Sequence, residues 1–139
     1  MASVHLLGFA LGHGAIWARA RALRGLPGPT YLRRTMLADA WWRGAGLLVV
    51  GTGLARAIGG AERPAEFYWA SRLFWVKMAC VAAILILEIG PARGLARWRR
   101  EGASAATAET EVARRWSTVS RVEAGLMLVV MFLATALAR

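Results

Sequence analysis

The residue whose type and position most strongly suggest chemistry is Lys77, a cation near the middle of the apolar stretch 67–89. A cation at the centre of a membrane-spanning helix costs about 2.5–3.5 kcal/mol, so it rarely lacks a partner or a role. Glu88 follows on the same helical face, three turns and about 16 Å further along. Glu123, in the last apolar stretch, is a second potential partner. We therefore predict an interior charge pair that joins Lys77 to Glu123 or to Glu88.

A second group of residues could hold a haem. At 100° per residue, His5, Gly8 and Gly12 share one helical face. Neutral imidazole is a common axial haem ligand, and glycines let a flat group approach the helix backbone. Arg56 and Arg72 are predicted at the same depth, where they could pair with the propionates. The sequence thus predicts a haem b site, and the alternative is that His5 hydrogen-bonds near the headgroups while the glycines pack helices.

The remaining candidate residues predict little chemistry. His13 lies about 80° round the helix from His5, so a structural role is favoured and a sixth haem ligand would be Met, water or His5 of a second copy. Two histidines with no acidic pair on their face do not predict a metal site. Cys80, the single cysteine, can form no internal disulfide. No catalytic residue is predicted, and whether the protein is an enzyme stays open.

The composition of the chain indicates the kind of protein in which these residues are placed. Of the 139 residues, 58% are hydrophobic, yet the formal net charge is +10, with 18 Lys and Arg against 8 Asp and Glu. Both facts hold together if the charges lie in short connections between apolar spans. A nucleic-acid-binding protein could share the pI of 11.6 but would not devote most of its length to apolar runs. We expect an integral membrane protein whose partner is the lipid bilayer, with no nucleic acid.

Four apolar stretches divide the single predicted domain. We predict an all-α fold of four transmembrane helices, with spans at about 2–18, 38–58, 67–89 and 117–138. Pro91 is expected to end the third helix. Asp39 and Arg43 are i,i+4 neighbours and can pair at the start of the second span. Short links between the spans predict an up-down-up-down bundle.

The connections predict the orientation in the membrane. Residues 19–37 and 92–116, which we call the first and second basic connections, contain eleven arginines. The connection at 59–66 is slightly acidic. Cationic connections remain in the cytoplasm, which predicts a bacterial inner-membrane protein with both termini outside. The small, polar middle of the second basic connection is expected to be the most mobile part of the chain.

Several motifs together carry a family resemblance. They are His5, LADAWWRGAGLLVVGTGLAR at 37–56, EFYWASRLFWVKM at 66–78, Pro91, RWRR at 97–100 and RVEAG at 121–125. The chain resembles, over nearly its whole length, a family of small bacterial predicted membrane proteins that carry a "domain of unknown function" label. The resemblance implies the four-span fold and its orientation, and it implies no established activity.

A more distant resemblance concerns function. A first-helix His5, a third-helix Trp75 and Lys77, and the Arg121-x-Glu123 pattern are similar to the HemJ and CopD group. HemJ-type proteins bind haem b and act as protoporphyrinogen oxidases, so the resemblance implies a redox or porphyrin-related role. The alternative is a bundle without cofactor that acts as an interaction subunit, a scaffold or a small-molecule transporter. Transport would require a dimer, because four helices enclose a narrow interior. The partners expected besides lipid are a second copy of the chain, in a homodimer, or a membrane partner subunit.

Overall fold

The computed structural model describes residues 2–58 and 70–138, and helices account for nearly all of them. The long helices are α1 (Ala2–Arg24), α2 (Pro29–Ile58), α3 (Arg72–Glu101) and α5 (Thr110–Ala138), and a short helix, α4 (Ala103–Ala108), precedes the last. No β-strand occurs within the two described ranges. The all-α prediction is confirmed.

The helices extend well beyond the predicted spans at the basic connections. α1 continues through residues 19–24, and α2 begins nine residues before the predicted span. Pro91 lies inside α3 and does not end it, contrary to the prediction. A proline inside a helix costs about 3 kcal/mol, but Pro91, Leu95 and Trp98 are all buried, and their packing keeps the helix intact. The segment expected to be mobile contains α4; residues 59–69, including the start of the predicted third span, lie outside the described ranges.

Each long helix buries a narrow stripe of residues at spacings of three and four. In α5 the stripe consists mainly of small residues: Ala113, Ser117, Ser120, Ala124 and Met127. Small side chains on this face let another helix come close. The Ser117 hydroxyl accordingly donates a hydrogen bond to the backbone carbonyl of Ala20 in α1, at 2.7 Å.

Neighbouring helices run antiparallel. α1 packs against both α2 and α5, and α3 packs against α5. Along the α1–α2 contact, Gly8 faces Val49 and Gly12 faces Ala45, so the numbers rise on one helix as they fall on the other. α1 and α5 are antiparallel in the same way. Both basic connections therefore lie at one end of the molecule.

The packed core is concentrated at this basic end. Buried residues from α1, α3, α4, α5 and the link between α1 and α2 form one cluster there: Leu23, Leu26, Leu95, Trp98, Ala106 and Ala113. The indole Nε1 of Trp98 donates to Glu109 at 3.0 Å, and its ring centroid lies 4.8 Å from that of Trp116. Trp116 covers Gly94 so closely that a Cβ on this glycine would overlap the ring. The fold is thus fixed at the basic end.

Large apolar side chains are exposed towards the opposite end. They include Leu6, Leu47, Leu54, Leu73 and Phe132. Within the described ranges, α3 and α5 are the helices long and apolar enough to cross a membrane, and no residue of the most apolar part of α3 is buried. No stretch of α1 or α2 reaches the same hydropathy, because glycines, histidines and arginines interrupt their apolar residues.

Candidate functional site

One buried arginine binds side chains from all the other long helices. The guanidinium of Arg19, on α1, donates from Nη1 to Asp39 on α2 at 3.0 Å and to Glu88 on α3 at 2.7 Å. Nη2 donates to the other oxygen of Glu88 at 2.6 Å and to Glu123 on α5 at 3.0 Å, and Nε donates to the Ser120 hydroxyl at 3.1 Å. We call these five residues the Arg19 cluster.

The position of Arg19 follows from the face of α1 on which it lies. It comes seven residues after Gly12, which is nearly two helical turns, so both residues point towards the interior. Its Cζ also lies 6.0 Å from the centroid of the Trp42 ring, within cation–π distance. A span that ends at residue 18 places Arg19 in a connection, and the sequence analysis therefore missed it. The continuing stripe of small residues would have indicated its inward position.

Asp39 links the cluster to the basic surface. One of its oxygens accepts from Arg19, and the other accepts from Arg99 at 2.7 Å and contacts Arg43 Nε at 3.2 Å. The predicted pair of Asp39 and Arg43 is thus confirmed. The side chains of Arg99 and Arg43 are 32% and 48% exposed, whereas Asp39 is buried. Three carboxyl groups here face three guanidinium groups, so their formal charges balance.

Glu88 and Glu123 share one donor nitrogen, Nη2 of Arg19. Glu123 is fully buried and its Oε1 atom has no hydrogen-bond partner among the described residues, whereas Glu88 is 16% exposed. Across the described ranges, no group of three or more His, Cys, Asp or Glu is arranged to hold a metal ion. The carboxyl oxygens are turned towards Arg19 instead. The arrangement can fix the relative positions of four helices.

The predicted interior charge pair involves a different cation. Glu88 and Glu123 do face the interior, but Arg19 is the residue that contacts both of them, in place of the predicted Lys77. The Nζ atom of Lys77 lies 5.4 Å from the centroid of the Phe74 ring, one turn earlier on α3. Three helical turns separate Lys77 from Glu88, a distance of about 16 Å that a lysine side chain cannot bridge.

The glycine face of α1 is filled by other helices. A Cβ on Gly8 would lie 2.9 Å from Val49 of α2, and Gly12 is covered in the same way by α2 and α5. The Nδ1 atom of His5 lies 2.7 Å from the Thr52 hydroxyl, also on α2. The residues on this face therefore do not fit a porphyrin lying against the two glycines, because α2 already occupies that space.

The other haem-related predictions remain untested. Arg72 is exposed at the first residue of α3, and the side chain of Arg56 lies outside the described part of the chain. Haem b therefore stays a prediction from the sequence. His13 accepts a hydrogen bond from Trp17 at 3.1 Å, one turn away on α1, which agrees with the structural role favoured for it.

Comparison with protein families matches residues 1–139 to a family described as "Predicted membrane protein (DUF2214)". This agrees with the resemblance carried by the motifs of α2 and α3. Comparison with curated proteins and with solved structures gives no significant match. The resemblance to HemJ and CopD is not shown by these comparisons, so it stays a prediction.

Proposed function

The chain belongs to this family of predicted membrane proteins, and on that premise we propose that it is a four-span scaffold of the bacterial inner membrane, associated with anionic lipid. The observation that carries the proposal is the binding of one buried guanidinium to carboxyl groups from three other helices. Such a network holds α1, α2, α3 and α5 together at the basic end. It requires no cofactor.

The outer surfaces of α1 and α2 support four spans in place of two. Large apolar side chains point outwards along both helices: Leu6, Leu7, Leu11, Leu47, Val50 and Leu54. Soluble proteins rarely expose contiguous apolar surface of this kind. Acyl chains would cover it on all four long helices. The polar residues that lower the hydropathy of α1 and α2 include Arg19 and Asp39, which bind each other inside the molecule.

The shared position of the basic connections supports the orientation. Both lie at the end of the molecule where the core is packed, and their arginines other than the buried Arg19 would face the cytoplasm. Each arginine near an anionic leaflet contributes about 1 kcal/mol of attraction. A rigid basic end on a lipid surface is what a lipid-associated scaffold needs. Both termini would then lie outside.

Labelling of single cysteines tests the four spans and the orientation. In a Cys80→Ser background, Thr30→Cys and Ser104→Cys report on the two basic connections and Ser3→Cys on the start of α1; all three positions are exposed. In intact spheroplasts, an impermeant maleimide should label Ser3→Cys alone. The other two variants should react after permeabilisation. Labelling of one basic connection from outside would overturn the four-span proposal.

Two measurements on purified protein test the scaffold itself. In nanodiscs, thermal stability should rise when phosphatidylglycerol replaces phosphatidylcholine, and the difference should shrink as salt is added. Equal stability in both lipids would contradict the association with anionic lipid. Protein from haem-replete cells should lack a Soret band. A stoichiometric Soret band lost in His5→Ala would replace the scaffold proposal with the haem hypothesis.

A further inference from the structure

A groove runs between α1 and α2 on the outer surface of the molecule and opens at the basic end. Its volume is about 930 Å³, and it is open along its length. Three arginines, Arg21, Arg24 and Arg34, line its basic end, and Gly14 and Trp41 line its apolar part. We call it the α1–α2 groove. It is separate from the Arg19 cluster, which lies inside the molecule.

The three arginines of the groove have no carboxylate partner among the residues that the structure describes. The sequence contains no Asp or Glu before Asp39, and Asp39 itself is buried and bound to Arg19, Arg43 and Arg99. None of the three groove arginines makes an ion pair with a carboxylate in residues 2–58 or 70–138. All three are exposed. The end of the groove is therefore a concentrated positive charge that an external anion would satisfy.

The apolar part of the groove is open and long. A Cβ on Gly14 would meet no atom within 4 Å in the described part of the chain, and Trp41 is 57% exposed beside it. A second groove of about 400 Å³, also lined by Trp41, continues along the same two helices to Leu48. From Tyr31 to Leu48, α2 rises about 25 Å. One leaflet contributes about 15 Å of hydrocarbon, so the combined length accommodates a headgroup and an acyl chain.

We propose that the α1–α2 groove binds one anionic phospholipid of the leaflet that faces the basic connections. The phosphate would lie between Arg21, Arg24 and Arg34, since guanidinium groups bind phosphate oxygens in pairs of parallel hydrogen bonds. An acyl chain would run over Gly14 and along Trp41. This lipid site rests on the proposed function, because the basic end of the molecule must lie against an anionic leaflet. It adds one defined site to a general attraction.

Native mass spectrometry of the full-length protein in detergent tests the site. The wild type is titrated with phosphatidylglycerol or phosphatidylcholine, alone or with excess inorganic phosphate. Two variants alter the groove: a triple Arg21→Gln, Arg24→Gln, Arg34→Gln variant removes its charge, and Gly14→Leu fills its apolar part. Their matched controls are a triple Arg93→Gln, Arg100→Gln, Arg115→Gln variant, whose arginines are also exposed, and Gly125→Leu, which likewise has open space.

The wild type should retain one phosphatidylglycerol at least about tenfold more tightly than phosphatidylcholine, given three arginines at the headgroup. Both groove variants should lose that preference, and both controls should keep it. Equal losses in the two arginine triples would overturn the defined site and leave the lipid-associated scaffold standing. If Gly14→Leu binds phosphatidylglycerol as the wild type does, or if inorganic phosphate displaces the lipid, the proposed lipid site is wrong. The arginines would then bind anions in general and no acyl chain would occupy the groove. Equal binding of both lipids by the wild type would contradict both proposals.

Discussion

Arg19 and Glu123 are 104 residues apart in the chain, and Nη2 of the guanidinium lies 3.0 Å from Oε2 of the carboxyl. Both side chains are fully buried. They belong to α1 and α5, each of which packs against two of the other long helices. A bond between these central helices, shared with Asp39 on α2 and Glu88 on α3, connects the first half of the chain to the second.

Removing Arg19 should be the most damaging single substitution at the basic end. Arg19→Leu leaves two carboxyl groups of the cluster without their cation in a buried position, so we expect a loss of about 3–5 kcal/mol in the free energy of unfolding. Arg33→Leu is the matched control, because Arg33 is exposed on α2. The measurement is unfolding in mild detergent followed by circular dichroism. Equal stability of the two variants would show that the cluster does not hold the helices.

Neutralising the carboxyl groups should rescue the loss of the cation. Adding Glu88→Gln and Glu123→Gln to Arg19→Met removes the unpaired charges, while Asp39 keeps Arg43 and Arg99. We expect this triple variant to be more stable than Arg19→Met by about 2 kcal/mol. The reason is that a buried carboxylate without a cation destabilises the fold more than a neutral amide in the same place. The double variant Glu88→Gln, Glu123→Gln, which keeps Arg19, completes a thermodynamic cycle with the wild type, Arg19→Met and the triple variant. Additive effects of the substitutions would contradict a shared network.

The sequence predicted the helices and the inward position of Glu88 and Glu123, and it did not predict that Arg19 is their cation. Hydropathy ends the first span where arginines begin, so Arg19 was assigned to a connection although its helical face continued inwards. Its partners are 20 to 104 residues away, and no local spacing indicates such contacts. Pro91 was predicted to end its helix because proline usually does so, but the burial of Leu95 and Trp98 outweighs this local preference. Local patterns thus gave the elements, and the choice of buried partners depends on how distant helices pack.

The contact between Gly94 and Trp116 should tolerate no side chain. In Gly94→Ala the new methyl group would overlap the indole, so the ring must move, at a cost of about 1–3 kcal/mol. Gly90→Ala is the control one turn away, where the nearest Trp116 atom is 3.7 Å from the added Cβ. There the alanine should stabilise the helix by about 0.5–1 kcal/mol. Urea unfolding of both variants distinguishes them by the sign of the change, and a stable Gly94→Ala would mean that Trp116 packs elsewhere.

Gly8 provides the test that separates helix packing from haem binding on α1. Gly8→Ala should destabilise haem-free protein by about 1 kcal/mol or more, because its Cβ would lie 2.9 Å from Cγ2 of Val49. Adding Val49→Ala should recover much of that loss by removing the obstructing methyl groups. Gly51→Ala, whose added Cβ would meet no atom of the described residues within 4 Å, should not destabilise the protein. Two results together would contradict helix packing: unchanged unfolding of haem-free Gly8→Ala, and loss of a Soret band when the protein is supplied with haem b. They would mean that the glycine face binds a porphyrin and that α2 does not fill it.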